Sequence, residues 1–193
     1  IYNLRKYIFF ESKHDNKVSK NKLSNFTYFM LIDTHHRTHN YLRISLTDAC
    51  NFRCFYCMPN EEVEVSPSSK LMSKEEIVAF AKTFVSLGVT KIRLTGGEPL
   101  VRKDVAEIIL ALSKLPITLT LTTNAVLIHK HIDVKKKKKI QSINVSLDTL
   151  QETKFLALTK RDQFQQVKNN IDLLLQHNFS VKINVVTMRG INE

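Results

Sequence analysis

Apolar and polar residues alternate over five short segments of the chain, and between most of these segments the apolar residues recur every three to four positions. Alternation is typical of strands, and the longer spacing is typical of helices. The predicted strands cover residues 41–48, 89–95, 117–123, 142–147 and 181–188. The predicted helices cover residues 73–88, 103–115, 127–140 and 164–177.

Local signals support the ends of these helices. Ser73 followed by Glu76 has the spacing of a capping box, and Gly88 is a typical residue just past a helix C-terminus. Pro116 ends the second helix. The five consecutive lysines at 135–139 oppose the third helix, because like charges repel at this spacing.

The strand–helix alternation predicts an α/β fold in which a parallel sheet curls into a partial (β/α)6, TIM-like barrel, truncated after about the fifth strand. Ligands of such folds bind at the carboxyl ends of the strands. We expect residues 31–193 to form one core domain, incomplete at its C-terminus, after a tail at 1–30. Two interpretations of the tail are open: a mitochondrial transit peptide, or sequence upstream of a true start at Met30.

Composition narrows the function classes. The 193 residues carry a net charge of +11, yet the known nucleic-acid-binding motifs are absent. No apolar run approaches the roughly 18 residues of a membrane span. We therefore expect a soluble protein with neither nucleic acid nor membrane as partner. An anionic substrate would use only a few of the positive charges.

The three cysteines of the chain, Cys50, Cys54 and Cys57, follow the first predicted strand with CxxxCxxC spacing. An odd, clustered set argues against a disulfide framework. Three thiolates can hold three corners of a [4Fe–4S] cubane and leave the fourth iron open to a small molecule.

Two alternatives to a cluster remain. Structural zinc requires a fourth ligand, which a distant histidine would have to supply: His35, His36 or His39. A CxxC redox pair would leave Cys50 unexplained.

Several segments carry a family resemblance in the same order. They are YLRISLTDACNFRCFYCMP (41–59), KIRLTGGEPLVRKD (91–104), LTTN (121–124), INVSLDTL (143–150) and VKINVVTMRGINE (181–193). Together they resemble the radical S-adenosylmethionine (SAM) superfamily and, within it, the GTP 3′,8-cyclase family of molybdenum cofactor biosynthesis. The resemblance runs from about residue 31 to the last residue.

The resemblance implies a lyase with a [4Fe–4S] cluster on the three cysteines and SAM as second cofactor. Reductive cleavage of SAM gives a radical that abstracts hydrogen from C3′ of GTP, and C3′ then bonds to C8 of guanine. No acid–base residue is implied. The implied SAM contacts are Tyr56, Gly97 and Ser146. The implied GTP contacts are Arg43, Arg93, Thr122 and Lys182.

The chain departs from the family at Ala49, at Ala125, which replaces a glycine, and at the lysine run. If the turn at Ala125 requires positive φ, alanine is unfavourable there. The family's second cluster needs three further cysteines, so we expect this chain to bind the first cluster without completing the cyclisation.

The resemblance also implies a flavodoxin- or ferredoxin-like electron donor and a homodimer, in the cytoplasm or, in a eukaryote, the mitochondrial matrix. Two other functions stay open: a peptide-modifying radical SAM enzyme, and an inactive iron–sulfur- or zinc-binding fragment.

Overall fold

The computed structural model describes the backbone of residues 8–10 and all of residues 31–58, 60–131 and 140–193. Its centre is one six-stranded sheet. The strands are β1 (Ile8–Phe10), β2 (Tyr41–Ser45), β3 (Lys91–Thr95), β4 (Thr118–Thr123), β5 (Ser142–Ser146) and β6 (Ser180–Asn184).

Five strands, β2 to β6, are parallel and lie side by side in chain order, and β1 pairs antiparallel with β2. Order that never reverses is typical of a (β/α) barrel, whereas a doubly wound sheet reverses at a switch point. The sheet is open between its outer strands β1 and β6. The predicted α/β class, with five parallel strands in a partial barrel, is confirmed.

The described residues form five α-helices between the strands. They are α1 (Lys74–Ser86), α2 (Val105–Leu112), α3 (Ile128–His131), α4 (Glu152–Thr159) and α5 (Phe164–Gln176). Two short 3-10 helices, Ser68–Lys70 and Pro99–Val101, precede α1 and α2. The capping box at Ser73 and Glu76 is present as predicted, and Gly88 follows α1 with a φ of 96°.

The two faces of the sheet differ sharply, because residues two apart on a strand share a face. The apolar face packs into the core with α1, α2 and α5, and its buried side chains include Leu42, Ile44, Ile92, Leu94, Leu119, Leu121, Ile143 and Val145. Arg43, Arg93 and Thr120 lie in register on the other face. We call this second surface the polar face.

Several predicted strand ends were too long. β2 stops at Ser45, and the next residues turn into the loop that carries the cysteines. β6 stops at Asn184 because β5 turns away beyond Leu147, whose N–H forms the last bond to the Asn184 carbonyl. Beyond this point, Val186 donates its N–H to the side chain of Asp148, at 2.8 Å from Oδ1.

The helices also differ from prediction. α2 is shorter than the predicted helix 103–115. At its start, the Arg102 side chain binds the carboxylate of Asp104, the residue before the helix. At its end, a turn follows Leu112. The predicted helix 127–140 is described only as far as His131, and residues 132–139, with the lysine run, lie outside the described residues. Sequence reasoning missed α4, which has only eight residues.

α4 is anchored through one aromatic side chain, and this generates a prediction. Phe155 is fully buried, 5.5 Å from the ring of Phe52 and 5.5 Å from that of Phe164. We expect Phe155→Ala to lower the free energy of unfolding by about 3–5 kcal/mol in urea titrations. Leu156→Ala, at the exposed neighbouring position, should change it by less than about 0.5 kcal/mol. Equal losses would show that α4 is not held by this aromatic contact.

Candidate functional site

The three cysteines lie in the loop that follows β2, at the carboxyl edge of the parallel sheet. Cys50 and Cys54 are partly buried against the core, and Cys57 is exposed. A tight turn closes the C-terminal part of this loop, since Cys57 and Met58 both donate their N–H to the Cys54 carbonyl. Within the described residues, no three Cys, His, Asp or Glu side chains converge as a metal site.

The start of the cysteine loop rests on the glycine-rich turn after β3. Gly97 donates its N–H to the Thr47 carbonyl at 2.7 Å, and Glu98 donates to that of Ala49 at 2.8 Å. A Cβ at Gly97 would lie 2.4 Å from the Ala49 carbonyl oxygen, so a larger residue would force two backbones apart. This contact explains the glycine whether or not SAM also binds there.

Glu98 holds this turn against the end of β4. Its side chain is buried, and Oε1 accepts from the Leu100 N–H at 3.0 Å and the Thr123 hydroxyl at 2.8 Å. Oε2 accepts from the Asn124 N–H at 2.6 Å. Asn124 then donates through Nδ2 to Asn51 Oδ1 at 2.7 Å, inside the cysteine loop.

The C-terminus of α4 supports the opposite side of the loop. Carbonyls in the last turn of a helix lack partners within it. Two of them, of Leu158 and Thr159, accept the N–H groups of Phe55 at 3.2 Å and Arg53 at 2.9 Å. The Arg53 guanidinium also donates to the Cys50 carbonyl at 2.8 Å. The loop is therefore fixed through its backbone, which leaves its thiols available.

Tyr56 joins the cysteine loop to the ends of β5 and β6. Its hydroxyl donates to Asp148 Oδ2 at 2.5 Å, while Asp148 Oδ1 accepts the Val186 N–H. Burial, together with this bond to a carboxylate, raises the pKa of Tyr56, so the phenol stays protonated. Sequence reasoning missed Asp148, and its only signal was its position directly after a predicted strand.

The thiols have the chemistry expected of cluster ligands. Burial raises the pKa of Cys50, and burial together with the neighbouring Cys50 raises that of Cys54 to about 11. Cys50 Sγ accepts the Phe52 N–H at 3.4 Å, a contact that favours a thiolate. Such sulfurs deprotonate on iron and are the donors that a [4Fe–4S] cluster binds, although the three side chains do not converge in this structure.

Two of the predicted GTP-binding residues, Arg43 and Arg93, are register partners on the polar face. Like charges so close repel unless an anion or a partner offsets them. Arg93 donates Nε to Thr120 Oγ1 at 3.3 Å and stacks over the Tyr41 ring at 5.6 Å. The ammonium of Lys91 lies 4.8 Å from the centre of the same ring.

The other two, Thr122 and Lys182, occupy the same face, two and four strands away from β2. Both pair in register with Asn144 on β5. The Thr122 hydroxyl oxygen is buried and has no hydrogen-bond partner among the described residues. Lys182 is exposed. The predicted SAM contact Ser146 ends β5 on this face, at the carboxyl edge of the sheet that also carries the cysteine loop.

The zinc alternative finds no support in the described part of the chain. His35 and His36 are exposed, and His39 lies 3.2 Å from Asp33 Oδ2 in a separate turn.

The expected strain at Ala125 is confirmed, because its φ is 66°. Asn170 compensates by donating Nδ2 to the Ala125 carbonyl at 2.7 Å.

Comparison with known proteins gives one family and several close relatives. The family model described as "Radical SAM superfamily" matches residues 44–193. The chain is 50% identical over 167 residues to GTP 3′,8-cyclase, mitochondrial, of Arabidopsis thaliana, covering 85% of this chain and 43% of that protein. It is 45% identical to GTP 3′,8-cyclase of Campylobacter lari, covering 85% of this chain and 52% of that protein. The chain thus spans about half the length of these relatives.

Solved structures resemble this fold at lower identity. Streptococcus suis SuiB bound to precursor peptide SuiA has a TM-score of 0.66 at 24% identity, covering 78% of this chain and 33% of that one. TYW1 with a lysine-pyruvate adduct bound has a TM-score of 0.53 at 18% identity, covering 85% of this chain and 59% of that one. At these identities the likeness concerns the fold alone.

A search of the described residues for a helix that could cross a membrane found none with the necessary length and apolar character.

Glu98 generates a prediction about pH. Burial raises its pKa from an ordinary 4.5 to about 7, despite three donors. Between these values the native state binds a proton that the unfolded state has lost, so stability falls as pH rises from about 4.5 to 7. Glu98→Gln should remove this slope.

The same variant should also lower the free energy of unfolding by about 1–3 kcal/mol at pH 7, because its amide cannot accept from all three donors. Urea titrations from pH 4.5 to 8 measure both effects, with exposed Glu64→Gln as control. An unchanged slope in Glu98→Gln would assign the pH dependence to other groups.

Proposed function

Because the chain belongs to the radical SAM superfamily, we propose that it forms the radical-generating part of a GTP 3′,8-cyclase. The reaction converts GTP to (8S)-3′,8-cyclo-7,8-dihydroguanosine 5′-triphosphate. The names of its relatives from Arabidopsis thaliana and Campylobacter lari support this activity. The chain spans only part of each relative, so we propose the activity for the whole protein of which this chain is the radical-generating part.

Family membership indicates a [4Fe–4S] cluster and SAM as the cofactors. When bound, they supply an electron for reductive cleavage of SAM and so a carbon-centred radical. In the proposal Cys50, Cys54 and Cys57 hold the cluster. The backbone bonds of Glu98 and Arg53 orient the loop, so the residues of the chain position the cofactors and take no part in proton transfer.

In the proposal, SAM binds at this loop through the three predicted contacts. Tyr56 is in the loop, Gly97 lies in the turn packed against it, and Ser146 ends a neighbouring parallel strand. Because the carboxyl ends of parallel strands meet at one edge, a single small molecule can reach all three.

The observation that carries the substrate assignment is the shared face of Arg43, Arg93, Thr122 and Lys182. Alternation along the strands places all four opposite the apolar core. Two arginines in register suit a polyanion, because guanidinium groups form paired hydrogen bonds with phosphate. A buried hydroxyl without a partner suits a bound ligand, since it would otherwise be costly.

We also propose that the protein receives its electron from a flavodoxin- or ferredoxin-like donor and that it forms a homodimer. The name of the Arabidopsis relative supports a mitochondrial location if this chain comes from a eukaryote. A peptide substrate is the competing proposal, and the charge of the polar face favours the nucleotide.

Nucleotide binding tests the assignment. We expect the chain to bind a fluorescent GTP analogue, and Arg93→Ala and Lys182→Ala to weaken binding about tenfold each, as for a lost charge-assisted bond. Lys114→Ala, at an exposed position after α2, should leave affinity unchanged. Equal affinity in all variants would reject the polar face as the GTP site, and binding of peptide but not GTP would favour the competing enzyme class.

A further inference from the structure

Asn144 is a nearly buried residue in the middle of β5, on the polar face. It is 5% exposed, although it lies on the face opposite the apolar core. On β5 it shares that face with Ser142 and Ser146, and its register partners are Thr122 and Lys182. Neither the resemblance nor the relatives assign it a role.

The side chain of Asn144 forms no hydrogen bond with any other described residue. The small exposed part of the residue includes its amide, because the amide atoms are not among the fully buried atoms that lack a partner. Its donor and acceptor are therefore open to a ligand on the polar face. The hydroxyl of its register partner Thr122 is fully buried and has no hydrogen-bond partner among the described residues. Two adjacent unpaired polar groups on one surface indicate a ligand that bonds to both.

The chemistry of the amide limits which part of a nucleotide it can bind. Asn144 carries a donor and an acceptor but no charge, so it suits a neutral group that also donates and accepts. Ribose hydroxyls and the edge of guanine have this character, and a triphosphate has acceptors alone. Lys182, its neighbour on β6, carries the charge that suits phosphate.

We propose that Asn144 is a substrate-binding residue that hydrogen-bonds to the guanosine part of the nucleotide, next to a phosphate contact from Lys182. This inference rests on the proposed function and deepens it. The missing hydrogen bond distinguishes a binding role from a structural one, because a structural asparagine would form hydrogen bonds with the protein in the absence of ligand.

Asn144→Leu tests the inference, because leucine keeps the shape of the side chain and removes its polar atoms. We expect GTP to bind about fivefold to tenfold more weakly, as for one lost neutral hydrogen bond. The affinity for inorganic tripolyphosphate, measured by displacement of a fluorescent GTP analogue, should be the same in Asn144→Leu as in the wild-type chain. Lys182→Ala should instead weaken both ligands.

Thermal unfolding without ligand provides the second readout. The midpoint of Asn144→Leu should stay the same or rise, because the amide that leucine replaces forms no hydrogen bond with the described residues. Asn144→Ala keeps the test open if leucine does not fit. Titrations with 2′-deoxyguanosine and inosine triphosphates then distinguish ribose from base, since the variant loses no affinity for the analogue that lacks the bonded group.

Unchanged GTP affinity in both Asn144 variants, with binding by the wild-type chain intact, would overturn this inference alone. A lowered unfolding midpoint with unchanged affinity would do the same and assign Asn144 to the fold. If the wild-type chain itself does not bind GTP, the proposed function and this inference both fall.

Discussion

The buried carboxylate of Glu98 is the group on which the arrangement of the strand-end loops depends. It accepts three hydrogen bonds, and these join the turn after β3 to the end of β4. Asn124 extends the connection to Asn51 in the cysteine loop. A buried carboxylate that lost these donors would leave polar groups unpaired inside the protein, so the bonds hold the loops in one arrangement. The cysteine loop is thus positioned by residues other than the cysteines that are proposed to bind the cluster.

The difference between the two faces of the sheet determines where a substrate can bind. The helices cover the apolar face and form the core with it. The other face keeps its polar and cationic side chains, and the carboxyl ends of the same strands carry the cysteine loop at its edge. A nucleotide on the polar face would therefore lie beside a small molecule held at the loop, which is the arrangement that hydrogen abstraction requires.

The sequence predicted those features that depend on local pattern. Alternation located all five parallel strands, the capping box located the start of α1, and the replaced glycine pointed to positive φ at Ala125. It did not predict contacts between distant segments, such as those of Glu98, Asp148 and the α4 carbonyls, because no periodicity records which loops meet. The unpaired state of Asn144 was equally invisible, since it depends on the neighbours a folded strand acquires.

The most direct test of the account is anaerobic reconstitution of the 193-residue chain with iron and sulfide, followed by EPR of the reduced protein with and without SAM. We expect about four irons per chain and a spectrum that changes when SAM is added, because three cysteines leave one iron open. Failure to retain iron, with all three cysteines intact and reduced, would contradict the central claim that the contacts of this chain hold the loop ready for a cluster.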